Sequence, residues 1–163
     1  MITGKYPNLR LRRSRKNDWS RRLIEENNLT PNDFILPIFL VNGKNKKQSI
    51  VSLPGVYRYS LDNLPRIIDK AINNKLPMVA LFPCTPNKKK DKKGSEALNE
   101  DNLVCKAIQL IKKKYKNEIG IMCDVALDPY TSHGHDGLLN SGYVLNDETV
   151  EILIKQSLLQ AQM

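Results

Sequence analysis

The sequence has no long apolar run and few of the residues that stabilise secreted proteins. None of its apolar stretches approaches the ~18 residues of a membrane-spanning helix, so no membrane partner is predicted. The basic N-terminus is not followed by the apolar segment of a secretory signal. Cysteine is limited to Cys84, Cys105 and Cys123, an odd number at wide spacings within apolar segments. These absences favour a cytoplasmic protein with reduced thiols over a disulfide-stabilised one.

Length and charge narrow the possibilities further. The 163 residues are enough for one domain with a core, but fewer than the ~200 that a complete eight-unit α/β barrel needs. The formal net charge is +9, with 26 Lys and Arg against 17 Asp and Glu. Three segments carry this excess: residues 1–33 have eight basic and four acidic residues, 43–47 have three lysines, and 88–93 have five lysines against one aspartate.

Basic segments of this kind can bind RNA or DNA through phosphate contacts. The two lysine-rich loops, however, contain no aromatic residue on which a base could stack, and they match no nucleic-acid motif. A solvated surface is therefore the favoured interpretation, and a nucleic-acid partner is disfavoured.

Apolar patterning predicts strands and helices in alternation after a basic arm over residues 1–33. The arm includes a short helix with Trp19, Leu23 and Ile24 on one face. Short apolar runs at 34–41, 78–82 and 119–127 are typical of buried strands, and an amphipathic helix is expected after each. The first of these helices carries the apolar stripe Leu61, Leu64, Ile67, Ile68, Ala71 and Ile72. The second is predicted to bury Leu103, Val104, Ala107, Ile108 and Ile111, and the third carries the apolar stripe Val150, Leu153, Ile154, Ser157, Leu158 and Ala161.

This order predicts a parallel sheet with helical crossovers over residues 34–163. Three parallel strands alone would leave two open sheet edges and a half-covered apolar face. The pattern therefore indicates an incomplete α/β architecture.

One stretch, CDVALDPYTSHGHDG at 123–137, concentrates the residues that can carry chemistry. Loops at the carboxyl ends of parallel strands are where α/β folds place their active sites. A metal site could use Asp128, His133, His135 and Asp136, whose oxygens and imidazoles suit zinc, magnesium or manganese. An acid/base site could use Asp124, a carboxylate that is expected inside the third strand and partly in apolar surroundings. A structural loop, in which these side chains cap nearby backbone, is the third interpretation.

The stretch DVALDPYTSHGHDG resembles the signature loop of the porphobilinogen synthase family, also called δ-aminolevulinate dehydratase. Further segments resemble the same family: LRLRRS at 9–14, SLPGVYRYS at 52–60, VALFPCTP at 79–86, GSEAL at 94–98 and GYVLNDET at 142–149. The resemblance implies an incomplete TIM-type (β/α)8 barrel, about its first three βα units, preceded by an extended N-terminal arm. It also implies condensation of two δ-aminolevulinate molecules to porphobilinogen with loss of water, in haem biosynthesis, and a homo-octamer assembled through the arm.

The resemblance assigns roles to individual residues. Asp124 matches a substrate-facing acid, expected to transfer a proton or hold the substrate amine. Zinc-dependent members have cysteines where this chain has Ala126, Asp128 and Asp136, so the resemblance implies magnesium rather than zinc. His135 matches a histidine beside the metal, which gives Asp128, His135 and Asp136 as the expected metal site. The residues expected to shape the loop are Tyr130, Thr131, Ser132 and His133.

The family's two Schiff-base lysines lie in A-A-K-Y-type and V-K-P-G motifs, and neither motif occurs in these 163 residues. A Schiff-base lysine must be desolvated or placed near another cation. The lysines at 88–90 and 112–114 are expected to be solvated, so none is a substitute. We therefore expect the N-terminal part of a porphobilinogen synthase that does not catalyse alone. A non-catalytic truncated or decayed product and a basic RNA-binding module are the alternatives.

Overall fold

The computed structural model describes residues 4–9 and 11–163, and its contacts divide the chain into two units, Met1–Thr30 and Pro31–Met163. Arg10, which belongs to the predicted basic arm, lies outside the described residues. The first unit contains a single turn at Arg13–Arg15 and the short helix α1 at Asp18–Leu23. Its apolar residues Trp19, Leu23 and Ile24 are exposed, because a helix of six residues has little apolar surface within its own unit on which to pack.

The second unit is built around a five-stranded sheet in the order β2-β3-β1-β4-β5. The strands are β1 at Ile35–Val41, β2 at Lys47–Ile50, β3 at Leu53–Tyr59, β4 at Met78–Cys84 and β5 at Gly120–Cys123. The parallel neighbours β1, β4 and β5 are the three strands that the apolar runs predict. The sheet does not close on itself.

The antiparallel hairpin formed by β2 and β3 was not predicted. It joins β1 only where Phe39 and Leu40 pair with Arg58 and Tyr59. The sequence KQSI of β2 is polar, and β3 contains Pro54 and Gly55, so neither strand has the apolar run or alternation that marks a strand in sequence.

Helices α2 at Leu64–Asn73 and α3 at Leu103–Tyr115 bury the apolar stripes predicted for them. They share one core with the sheet residues Ile38, Leu40, Val79 and Leu81. The side chains that the two helices contribute to it are Leu64, Ile68, Ala71, Leu103, Val104, Ala107, Ile108, Ile111 and Tyr115. Among the described residues, no helix is both long and apolar enough to cross a membrane.

Helix α4 at Asn146–Gln162 exists as predicted, but the apolar stripe assigned to it does not form its buried face. Val150, Ile154 and Leu158 are 45%, 53% and 56% exposed, Ser157 and Ala161 are also exposed, and Leu153 is half-buried. The side chains that α4 buries are Thr149, Gln156, Leu159 and Gln160. The reason is that α4 packs partly on backbone that needs hydrogen-bond donors, as the contacts of Gln156 and Gln160 show.

Candidate functional site

A cleft of about 320 Å³ lies at the carboxyl ends of the parallel strands. This is the edge of an α/β sheet at which ligands usually bind. Its lining includes three aromatic rings, two cations and two carboxylates, which belong to Phe39, Phe82, Tyr130, Arg58, Lys90, Asp124 and Asp128.

The apolar wall of the cleft is a pair of stacked phenylalanines. Phe39 of β1 and Phe82 of β4 are direct neighbours across the two strands. Their ring centroids are 5.6 Å apart with an interplanar angle of 29°. The pair forms an apolar surface on one side of the cleft, and the charged groups of the lining are available to contact a polar ligand.

Asp124 lies at the cleft, but not inside a strand as expected. The pairing of β4 with β5 ends at Leu81 and Cys123, so Asp124 is the first residue beyond β5 and is exposed. The apolar run continues past it to Leu127, which is why the sequence suggested a longer strand. Pro83, two residues beyond the last residue of β4 that pairs with β5, has no N–H with which to extend that ladder.

Asp128 lies among other carboxylates. Partial burial raises its pKa above the ordinary value, and the negative charges of Asp136 and Asp124 raise it further. The cation of Lys90 acts in the opposite direction and lowers the pKa of Asp128. The negative charges of the three acids of the signature loop therefore influence one another at this end of the cleft.

The rest of the signature loop is held by bonds within itself. An oxygen of Asp136 accepts from the Leu127 amide at 2.5 Å, and Nδ1 of His135 accepts from the Gly137 amide at 2.9 Å. Nδ1 of His133 accepts from the His135 amide at 3.1 Å, and the Thr131 hydroxyl donates to the His135 carbonyl at 2.8 Å. Backbone amides of the loop therefore hold both imidazole rings in their orientations.

The lysine-rich loop after β4 is attached to the signature loop. The Asp91 amide donates to the Tyr130 carbonyl at 3.3 Å, and the Ser132 amide donates to the Asp91 carbonyl at 2.8 Å. The Asp91 carboxylate accepts from the amides of Lys93 and Ser95, and the bond from Ser95 is the main reason that the pKa of Asp91 is lowered. Asp91 thus fixes one loop against the other.

Lys90 differs from the solvated lysine that the sequence predicted. Lys88 and Lys89 are exposed, and Lys89 pairs with Glu96 at 2.6 Å, but Lys90 is half-buried and lines the cleft. Arg58 of the unpredicted hairpin is the second cation of the cleft. No local pattern identifies either residue, because each reaches the cleft through tertiary contacts of its strand or loop.

In this structure, the predicted metal ligands are not arranged as a coordination site. Among residues 4–9 and 11–163, no group of three or more His, Cys, Asp or Glu side chains could hold a metal ion. Asp136 and His135 each use an atom on a loop amide, at Leu127 and Gly137. Carboxylate oxygens suit magnesium chemically, but the arrangement does not fit a bound ion, and magnesium at Asp128, His135 and Asp136 stays a prediction.

The three cysteines are free and lie in different surroundings. Cys105 is buried, and burial raises the pKa of Cys123 to about 11, so this thiol stays protonated at neutral pH. Cys84 is exposed and lines the cleft.

Comparison with known proteins gives one consistent result. A sequence model of the family described as Delta-aminolevulinic acid dehydratase matches residues 8–163. Relatives with that name include one from Bradyrhizobium diazoefficiens, 52% identical over 154 residues that cover 94% of this chain and 43% of the relative. One from Chlamydia pneumoniae is 44% identical, and the match covers 94% of this chain and 46% of the relative. One from Ruminiclostridium josui is 40% identical, with coverage of 91% and 71%.

The fold has a solved counterpart. The crystal structure of delta-aminolevulinic acid dehydratase (porphobilinogen synthase) from Toxoplasma gondii ME49, in complex with the reaction product porphobilinogen, superposes with a TM-score of 0.87 at 35% identity. The superposition covers 94% of this chain and 44% of that one. The chain therefore spans a little under half the length of the Bradyrhizobium and Chlamydia relatives and of the solved protein, and its unclosed α/β sheet matches part of that larger fold.

Proposed function

Because the chain belongs to the δ-aminolevulinic acid dehydratase family, we propose that it forms one wall of a porphobilinogen synthase active site. In this reaction two molecules of δ-aminolevulinate condense to one of porphobilinogen and two of water. The observation that carries the proposal is the position of Asp124, which the signature loop places at the cleft where the parallel strands end.

Asp124 is the proposed catalytic residue of this chain. Its exposed carboxylate can accept a hydrogen bond from the substrate ammonium group and can transfer a proton between substrate and solvent. Asp128 adds a second carboxylate, and Arg58 and Lys90 add positive charge on the same cleft. Groups of both signs suit δ-aminolevulinate, which carries an ammonium group and a carboxylate.

The covalent chemistry of the family needs an amine that these residues do not supply. Neither Schiff-base motif occurs in the 163 residues. Lys90 lines the cleft beside carboxylates, whereas a Schiff-base lysine is activated by apolar surroundings or by a neighbouring cation. We therefore propose that the chain holds substrate and does not complete the condensation alone.

The same family membership supports three broader proposals for the protein in its working form. These are self-association into a homo-octamer through the arm at 1–33, a requirement for magnesium, and a cytoplasmic location. We derive no catalytic step from the metal, since the expected ligands do not converge among the residues that the structure describes.

A hybrid enzyme tests the proposal. This chain is joined to the part of the Bradyrhizobium relative that follows the matched 154 residues, and porphobilinogen formation from δ-aminolevulinate is measured. The hybrid is expected to form product. Asp124→Asn is expected to lower kcat by about 100-fold or more, the usual contribution of a proton-transfer group.

Asp147→Asn is the matched control, because Asp147 is an exposed acid in the first turn of α4, outside the cleft lining. It is expected to leave kcat unchanged. Equal activity of the two variants would contradict the role of Asp124. Product formation by the 163-residue chain alone would contradict the need for the lysine motifs.

A further inference from the structure

Two glutamines of α4 contact the backbone that carries Asp124. Nε2 of Gln160 donates to the Asp124 carbonyl at 3.4 Å, and Nε2 of Gln156 donates to the Ala126 carbonyl at 3.2 Å. Gln156 is completely buried and Gln160 is 9% exposed. Glutamine is seldom buried unless its amide is hydrogen-bonded. These two bonds satisfy the amide donors of the glutamines that α4 turns inward.

The spacing of the bonds follows from the geometry of the two segments. Residues four apart on an α-helix are separated by about 6 Å along its axis. Residues two apart in an extended chain are separated by about 6.6 Å. Gln156 and Gln160 thus match Ala126 and Asp124 in reverse order, so α4 runs antiparallel to this segment.

The segment needs these donors because it has left the sheet. Asp124 and Ala126 lie beyond Cys123, the last residue of β5 that pairs with β4. Without a neighbouring strand, their carbonyl oxygens depend on other groups for hydrogen bonds. The two glutamine amides donate the hydrogen bonds that the N–H groups of a neighbouring strand would donate within a sheet.

The amide of Gln156 makes one hydrogen bond through Nε2 and leaves its oxygen unpaired within the part of the chain that the structure describes. Its Oε1 is buried and has no hydrogen-bond partner among the described residues. An unsatisfied buried oxygen is unfavourable, and a leucine or methionine would fill the same space without one. The Nε2 donor is therefore the group that distinguishes Gln156 from an apolar residue of similar size at this place.

We propose that Gln156 and Gln160 are positioning residues, which fix the backbone from Asp124 to Ala126 and thereby the direction in which the Asp124 carboxylate faces the cleft. The inference rests on the function proposed for Asp124. Neither glutamine is among the described residues that line the cleft, so both act through the segment they hold and not on substrate.

The first test uses NMR on the full chain. Gln160→Met removes the donor and keeps the length of the side chain, and Gln162→Met is the control because Gln162 is exposed on the same helix. In Gln160→Met, the Asp124 carbonyl ¹³C resonance is expected to shift, and the χ1 couplings of Asp124 are expected to move toward rotamer averaging. Gln162→Met is expected to change neither. Identical Asp124 couplings in the two variants would overturn the proposal.

Gln156→Met provides a second variant if Gln160→Met does not fold, with the Ala126 carbonyl resonance and the Asp124 couplings as readouts. A loss of folded signal alone is not taken as support. The couplings must change in a folded variant, and unchanged couplings in folded Gln156→Met overturn the proposal in the same way.

Kinetics of the hybrid enzyme separate positioning from stability. Gln160→Met is expected to lower kcat about 10-fold with little change in KM, since misplacement of a catalytic group affects the reacting geometry more than binding. A lower thermal midpoint with unchanged kcat would overturn the positioning role. If the unsubstituted hybrid forms no porphobilinogen, the proposed function fails instead, and the NMR comparison still decides whether the glutamines orient Asp124.

Discussion

Helices α3 and α4 follow neighbouring strands of one sheet, but α3 buries its apolar stripe, whereas α4 buries polar side chains together with Leu159. α3 buries apolar residues such as Ile108 and Ile111, which join the core on the sheet. α4 buries Gln156 and Gln160 and leaves Ile154 exposed. The difference shows that the buried face of a helix is decided by the surface it meets, and not by its own apolar stripe.

The surface that α4 meets includes polar backbone as well as a small apolar cluster. Besides the two glutamine bonds, Thr149 accepts from the Leu138 amide at 2.9 Å through its hydroxyl. Leu127 and Tyr130 of the signature loop form the apolar cluster together with Ala97, and Leu153 packs against it. α4 therefore packs on the signature loop and the backbone that leads into it, whereas α3 packs on the core of the sheet.

The largest effect expected from this contrast is in Ile111→Ala. Ile111 is fully buried in α3, so the variant should lose about 2–5 kcal/mol of unfolding free energy, measured by urea denaturation. Ile154→Ala in α4 is the matched control and should change stability by less than ~0.5 kcal/mol, because Ile154 is 53% exposed. Equal losses of unfolding free energy in the two variants would show that α4 buries its apolar stripe as α3 does, contrary to this comparison.

A smaller effect is expected at the start of α3. The Asn102 side chain caps this helix by accepting from the Cys105 amide at 2.9 Å, and its amide donates to the carbonyls of Glu96 and Ala97. Asn102→Ala should lower the unfolding free energy by about 1–3 kcal/mol. The first residue of α4, Asn146, is exposed, so Asn146→Ala should lie within ~0.5 kcal/mol of the parent chain. Urea denaturation of both variants checks this, and an equal loss in Asn146→Ala would count against it.

Gln156→Leu is expected to change the unfolding free energy by less than ~1 kcal/mol in either direction. The variant removes the unpaired Oε1 but also leaves the Ala126 carbonyl without its donor. These two changes oppose each other. A loss of unfolding free energy above about 2 kcal/mol in chemical denaturation would mean that Gln156 mainly stabilises the fold, contrary to the positioning role.

The smallest expected effect is the pH dependence of stability that comes from Asp128 in the signature loop. The pKa of Asp128 is raised in the folded chain, so the folded state binds this proton more tightly than the unfolded state does. Stability is therefore lost as pH rises from below the ordinary value of 3.8 through the raised value, and it stays lower at neutral pH. Asp128→Asn should raise the thermal midpoint slightly at pH 7 and give no gain near pH 3. A midpoint that falls at pH 7 would contradict the assigned direction.

The features that depend on local pattern were predictable. The strands β1, β4 and β5, the buried stripes of α2 and α3, and the loop that carries Asp124 all follow from short apolar runs, helical periodicity and a dense motif. Each is determined by residues adjacent in sequence, for which period and composition are sufficient.

The features that depend on tertiary partners were not predictable. Arg58 reaches the cleft because a polar hairpin pairs with two residues of β1, and Lys90 reaches it because Asp91 ties its loop to the signature loop. The inward glutamines of α4 respond to carbonyl oxygens thirty or more residues away, at separations of 30 and 36. No periodicity encodes such distant partners.

The most direct test of the proposed role of Asp124 is the growth, without added haem, of a bacterial strain that lacks its own porphobilinogen synthase. The hybrid of this chain with the remaining part of the Bradyrhizobium relative is predicted to restore growth. The same hybrid with Asp124→Asn, and the 163-residue chain alone, are predicted not to. Growth supported by the chain alone would contradict the need for the lysine motifs. Equal growth with the Asp124→Asn hybrid and the parent hybrid would contradict the proposed role of Asp124.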